Sequence, residues 1–130
     1  MTLAEITDST DLEFVEKIKT ELEAIPDERW TINVRHSSKN QHCAYGHLDN
    51  IDHRIGGKVA GFHGNGHLGD RLWGISKVHF PPQLAWNQQC IIAEANNGDH
   101  PDYNQSTPKE RTLAVLSDLI AKMSEIAIEN

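Results

Sequence analysis

The residues best placed to do chemistry surround the start of the last predicted helix, where a polar loop leads into Thr107-Pro-Lys-Glu-Arg111. Thr107 stands at an N-cap position, Pro108 suits the first helical position, and Glu110 completes a Thr-x-x-Glu capping box. A helix N-terminus attracts anions through its unpaired amides and its dipole, and an arginine can add a bidentate contact. The pattern therefore predicts a site for a small anion that includes Thr107 and Arg111.

The same stretch has a simpler interpretation, in which Thr107 and Glu110 only cap one another and Arg111 is solvated. Residues 96–108 contain two prolines, Pro101 and Pro108, and almost no apolar side chain except Tyr103, which predicts a surface loop. In this interpretation the loop is only a connection. The sequence of this stretch leaves both alternatives open.

Histidines are the second group of candidates, because seven of the eight lie within residues 31–80. His63 and His67 are four apart, but Gly64 and Gly66 between them disfavour the helix that would make this spacing a metal pair. We expect polar loop residues here, some of them bonding to a ligand or to a neighbouring subunit. A metal site stays an alternative, and its candidate ligands are His42, His47, His53, His63 and His67.

Two further motifs carry weaker chemistry. Cys43 would need a lowered thiol pKa and a partner base to act as a nucleophile, and its small neighbours indicate close packing instead. Residues 64–69 spell G-x-G-x-x-G, which in dinucleotide-binding proteins lies between a buried strand and a long helix. Asp70, Gly74 and the two prolines that follow argue against such a helix, so we expect no dinucleotide fold.

Apolar periodicity predicts the elements that would position these residues. An amphipathic helix begins at Thr10 and ends before Pro26, and the alternating residues 30–35 predict a strand. A short helix follows from Cys43 to about Gly56, and residues 58–80 suggest two or three short strands around a glycine-rich loop. Two more helices complete the chain, one from Pro81 to Asn97 and one from Thr107 onward. The expected fold is α+β: a single domain, residues 1–130, with a short antiparallel sheet packed by three or four helices.

Charge and hydropathy exclude some functions. The net charge is −7, with a balance of −6 in residues 1–30, +3 in residues 31–80 and −4 in residues 81–130. An acidic chain is a poor partner for long nucleic acid, yet a few arginines can still hold a small phosphate. No apolar run approaches the 18 residues typical of a membrane span, and the residues Met-Thr-Leu-Ala-Glu do not have the basic and hydrophobic pattern expected of a leader. We expect a cytoplasmic protein that does not bind membranes.

Three sequence features resemble one family. They are Arg29-Trp-Thr31 before a predicted strand, Cys43-Ala-Tyr-Gly-His-Leu48, and Ala95-Asn-Asn97 followed by a loop and Thr107-Pro-Lys-Glu-Arg-Thr-Leu-Ala-Val-Leu116. This arrangement is similar to the phage anti-Thoeris sponge proteins, which sequester a cyclised ADP-ribose signal without cleaving it. The resemblance implies a non-enzymatic, anti-defence binder without cofactor or metal. It also implies a homo-oligomer, a dimer or hexamer, that encloses the ligand near a subunit interface; some members also hold cyclic oligonucleotides.

The resemblance also implies ligand-binding positions, which are Arg54, Phe80, Asn97, Thr107 and Arg111. Arg54 has rivals for its role in His53, Lys58 and Arg71. Phe80 could offer a flat face to adenine or could be an ordinary core aromatic.

Two other functions stay open at this stage. One is a metal-dependent hydrolase or nuclease that uses the histidine-rich middle region. The other is a phage protein-interaction module without a small ligand.

Overall fold

The computed structural model describes residues 1–56, 66–80 and 91–129. Six α-helices and one 3-10 turn, Asp27–Arg29, account for most of these residues. The helices are α1 (Leu3–Asp8), α2 (Asp11–Glu23), α3 (Ala44–Arg54), α4 (His67–His79), α5 (Ile91–Asn97) and α6 (Pro108–Glu129). Helix α6 is the longest and packs mainly against α2 and α5.

The predicted helix after Thr10 is confirmed as α2, and its start has the expected cause. The Thr10 hydroxyl accepts from Glu13 N, and the Glu13 carboxylate accepts from Thr10 N, which is a complete capping box. Thr2 and Glu5 repeat the motif at the start of α1. Helix α1 was not predicted, although the Thr-x-x-Glu signal was present.

The predicted antiparallel sheet is wrong, because residues 1–56, 66–80 and 91–129 contain no β-strand. Residues 30–43 form only two isolated bridges, which join His42 to Trp30 and to His36. This stretch is called the 30–43 segment below. Asn33 has a φ of 64° and Asn40 a φ of 58°, both in the left-handed region. A left-handed residue inside residues 30–35 reverses the alternation of side chains, so no regular strand can continue through it.

The strands predicted near Trp73 and Val78 are also wrong, because residues 67–79 form α4. Leu68, Leu72 and Ile75 are buried at helical spacing, and this period prevails over the glycines that suggested a loop. The argument that no helix could follow the G-x-G-x-x-G motif is therefore wrong too. Residues 57–65, which hold the rest of that predicted strand and loop region, lie outside the described residues.

The short helix predicted from Cys43 is confirmed as α3, with Cys43 as its N-cap. Gly46 explains why this stretch favours small residues, since a Cβ at that position would collide with the backbone carbonyl of Arg35. The 30–43 segment can therefore cross directly over α3. Close packing, rather than catalysis, accounts for the small residues around Cys43.

The last helix begins and packs as predicted. Val115, Leu116, Leu119 and Met123 of α6 are buried in one apolar cluster with residues from the other helices. The predicted end of α5 is likewise confirmed, because Gly98 has a φ of 79° directly after Asn97. The predicted start of that helix at Pro81 lies outside the described residues.

In the described part of the chain, none of the helices combines the length and the apolar character that crossing a bilayer requires.

Candidate ligand-binding loop

A cavity of about 380 Å³, called the loop cavity below, lies between the loop after α5 and the first turn of α6. Residues 98–105 supply most of its wall, and Arg111 closes one side. The lining residues are Gly98, Asp99, His100, Pro101, Tyr103, Asn104, Gln105 and Arg111. Their side chains are predominantly polar, so the cavity suits a polar small molecule.

Arg111 bonds both to α5 and to the loop that follows it, so it is not simply solvated. Its Nε donates to Ala95 O over 2.8 Å and its Nη2 to Asn96 O over 3.0 Å, which caps the C-terminus of α5. Its Nη1 donates to Gln105 O over 2.9 Å and so holds the loop. A guanidinium carries five N–H donors, so these three bonds leave two for another acceptor.

Gly98 turns the chain out of α5 beside the guanidinium. Its positive φ is what favours glycine here, since a Cβ at this position would make only an ordinary contact of 3.6 Å with Arg111 Cζ. The Asp99 N–H then donates to Glu94 O over 2.9 Å and fixes the next residue of the loop. The turn therefore brings Asp99 to the cavity that Arg111 also lines.

Thr107 is the N-cap of α6, as predicted, and this role uses most of the amides of the first turn. Its hydroxyl accepts from Glu110 N over 3.1 Å, and its carbonyl accepts from Arg111 N over 3.0 Å. Pro108 has no N–H. At most one first-turn amide, that of Lys109, is left for a ligand, so the helix end contributes less to an anion site than the sequence predicted.

Tyr103 anchors the middle of the loop to α6. Its ring is buried, and its hydroxyl donates to the Asp118 carboxylate over 2.7 Å. Burial and this acceptor both raise the pKa of the Tyr103 hydroxyl, which therefore stays a donor at neutral pH. The loop therefore has a second fixed point besides the Arg111 contact.

Asn97 lies beside this site but faces the 30–43 segment. Its Oδ1 accepts from Asn33 N over 2.8 Å and from Asn96 Nδ2 over 3.2 Å. Asn97 borders a second, smaller cavity of about 140 Å³, together with Cys43 and other residues of that segment and with Ala44 of α3. Of the predicted positions, the structure thus brings Asn97, Thr107 and Arg111 to neighbouring places at the junction of α5 and α6.

Arg54 and Phe80 lie elsewhere. The Arg54 guanidinium forms an ion pair with Glu21 of α2 over 2.9 Å, and its side chain is 61% exposed. Phe80 follows α4, and its ring lies 5.1 Å from Lys122 Nζ. Lys122 is fifteen residues from Thr107 on α6, about 22 Å along the helix axis. Neither side chain lines the loop cavity.

Arg71 and Lys58 were rivals of Arg54 for a ligand contact. Arg71 donates to the carbonyls of Ile6 and Ser9 and pairs with Asp11, which ties α4 to the chain around α1. Lys58 lies outside the described residues. The structure thus gives Arg71 a role in joining helices.

Comparisons of this chain with protein families, curated proteins and solved structures found no match. The resemblance to phage sponge proteins therefore stays a prediction. What the structure contributes is the geometry of the loop cavity.

The histidines of the 30–43 segment form a cluster with His47 of α3. His36 Nδ1 and His42 Nδ1 are 2.7 Å apart, and the ring centroids of His42 and His47 are 5.2 Å apart. Within residues 1–56, 66–80 and 91–129, no group of three or more His, Cys, Asp or Glu side chains is placed to hold a metal ion. His53 and His67 are exposed on their helices, and His63 lies outside the described residues.

Asn96 is the residue that the sequence analysis missed. It is buried, its Oδ1 accepts from Ala44 N over 3.1 Å, and its Nδ2 donates to Thr31 O over 3.0 Å. It therefore caps α3 and holds the 30–43 segment, while its own carbonyl accepts from Arg111. The sequence signal for Asn96 was its place in the run Asn96-Asn97-Gly98, which predicts a helix end but no long-range contact.

Proposed function

We propose that this protein binds a small phosphate-bearing ligand in the loop cavity and holds it without cleaving it. The observation that supports this proposal is Arg111, whose guanidinium is fixed at the cavity wall by three carbonyls and still has two N–H donors. A fixed arginine loses little conformational entropy when it binds a phosphate.

The proposed ligand class is a cyclic nucleotide signal such as cyclic ADP-ribose, as the resemblance to phage sponge proteins implies. The cavity, at about 380 Å³, lies within the range of about 300–1,000 Å³ that small-molecule sites commonly have. The proposal places the protein in the cytoplasm of a phage-infected cell, as a homo-oligomer. A second copy would cover the open side of the cavity and shield the ligand from water.

Calorimetric titration of the purified protein with cyclic ADP-ribose tests the proposal. We expect saturable binding, and heating the complex should release a ligand with unchanged mass. Absence of binding, or a hydrolysed product, would contradict the proposal.

Two charge variants test where the ligand binds and leave Arg111 unchanged. Asn104 is exposed and lines the cavity, whereas Ser106 is exposed on the same loop but does not line it. Both Asn104→Asp and Ser106→Asp add one negative charge. We expect Asn104→Asp to weaken binding about tenfold or more, because it places a carboxylate beside the phosphate, and Ser106→Asp to have a much smaller effect. Equal effects would mean that the ligand binds elsewhere.

A further inference from the structure

The loop cavity presents a carboxylate as well as a guanidinium. Asp99 and Arg111 are the acidic and the basic residue of its lining, and their formal charges cancel. Asp99 is exposed. Within residues 1–56, 66–80 and 91–129, no side chain forms a hydrogen bond or an ion pair with its carboxylate. A ligand that is only anionic would be attracted by Arg111 and repelled by Asp99.

An aromatic residue, His100, follows Asp99 in the lining of the cavity. The His100 ring lines the cavity, and its Nδ1 accepts from Asp102 N over 3.2 Å. The ring centroids of His100 and Tyr103 are 5.2 Å apart, and Tyr103 is itself anchored through Asp118. The hydrogen bond to Nδ1 and the tilted contact with Tyr103 orient the His100 ring, and an oriented aromatic ring can stack against a planar base.

We infer that the cavity selects ligands in which a phosphate is joined to a base that donates hydrogen bonds, with Asp99 as the residue that sets this specificity. In this arrangement Arg111 binds the phosphate and His100 stacks against the base. The Asp99 carboxylate accepts hydrogen bonds from the N–H groups of the base or from ribose hydroxyls. Simple inorganic phosphates lack these donors and are rejected by Asp99. This inference rests on the proposed function and adds the chemical class that the site distinguishes.

The test compares two probes on two aspartate variants. Cyclic ADP-ribose carries a diphosphate, ribose hydroxyls and a base, whereas inorganic pyrophosphate carries the diphosphate alone. Asp99→Asn is the test variant, and Asp102→Asn is the matched control, since Asp102 is exposed on the same loop but does not line the cavity. Both variants remove one negative charge.

The parent protein should bind cyclic ADP-ribose much more tightly than pyrophosphate. Asp99→Asn should bind cyclic ADP-ribose about tenfold more weakly, because a charged acceptor is lost, and pyrophosphate more tightly, because the repulsion is lost. Asp102→Asn should leave the ratio of the two affinities near that of the parent.

The outcomes separate the two proposals. If the parent binds neither probe, the proposed function fails and this inference fails with it. If the parent binds cyclic ADP-ribose but Asp99→Asn keeps the parent's ratio of affinities, only the inference is overturned. An equal change of the ratio in both variants would also overturn it, since the effect would then be one of overall charge.

Discussion

Arg111 of α6 donates its Nε hydrogen to the carbonyl oxygen of Ala95 over 2.8 Å and thereby closes the last turn of α5. The two helices are joined by a side chain as well as by apolar packing. This bond, with those to Asn96 O and Gln105 O, makes Arg111 a structural residue whatever ligand the cavity holds.

Replacement of Arg111 should therefore destabilise the protein. We expect Arg111→Ala to lower the free energy of unfolding by about 3 kcal/mol, because three carbonyls lose a charged donor. Arg111→Lys should recover little, since one ammonium cannot reach three acceptors in this geometry. Arg54→Ala is the matched control, and its exposed pair with Glu21 should contribute less than about 1 kcal/mol. Urea denaturation measures all three; equal losses for Arg111→Ala and Arg54→Ala would contradict the capping role.

Asn96 should be sensitive to the loss of a single amide. In Asn96→Asp the Nδ2 donor becomes an acceptor facing Thr31 O and Asn97 Oδ1, so we expect a loss of about 2–4 kcal/mol. The same change at Asn50, exposed on α3, should alter stability by less than about 0.5 kcal/mol. Thermal unfolding of both variants at pH 7 distinguishes a specific contact from an effect of charge.

Two glycines within helices should respond in opposite directions to alanine. Inside a helix, alanine is more favourable than glycine by about 1 kcal/mol. Gly74→Ala should therefore be neutral or stabilising, because nothing lies within 4 Å of the added Cβ. Gly46→Ala should destabilise by more than about 2 kcal/mol, because the added Cβ collides with the Arg35 carbonyl. Chemical denaturation gives both values. A stabilising Gly46→Ala would mean that the 30–43 segment does not cross α3 as described.

His47 should make stability depend on pH. Burial, with the neighbouring His42, lowers the pKa of His47 from 6.5 to about 4. The unfolded chain therefore binds the proton more readily than the folded one, so stability is complete above about pH 6.5 and falls as the pH drops toward 4. The full loss is up to about 3 kcal/mol.

Urea unfolding at pH 7 and pH 5 measures this dependence. His47→Gln should reduce the difference between the two pH values, whatever its effect on stability at pH 7. His53→Gln, at an exposed position of the same helix, should leave the difference unchanged. If both variants retain the full difference, other groups cause it.

Local signals predicted those parts of the fold that local interactions determine. The capping box at Thr10, the 3.6-residue period of α6 and the glycine after Asn97 each depend on residues a few positions apart, and all three are confirmed. Helix α4 was missed because Gly66, Gly69 and Gly74 suggested a loop, although Leu68, Leu72 and Ile75 carried the helical period. The strand at residues 30–35 was predicted from alternation, which carries no information on the left-handed conformation of Asn33.

The candidate site was only partly accessible to sequence reasoning. Its position at the loop before α6 and the cap at Thr107 follow from local chemistry. The bonds from Asn96 to Ala44 and Thr31 join residues 52 and 65 positions apart, and no local pattern predicts such pairings. The same limit applies to Arg111, whose partners depend on where α5 ends in space.

The amides that attach the 30–43 segment and the start of α3 to helix α5 have a consequence for hydrogen exchange. Asn33 and Ala44 donate their N–H groups to side chains of α5, and neither amide belongs to a ladder that would persist without that helix. Their protection against deuterium exchange is therefore set by how often α5 detaches. These two protons, eleven positions apart in the chain, should therefore report the same free energy of opening.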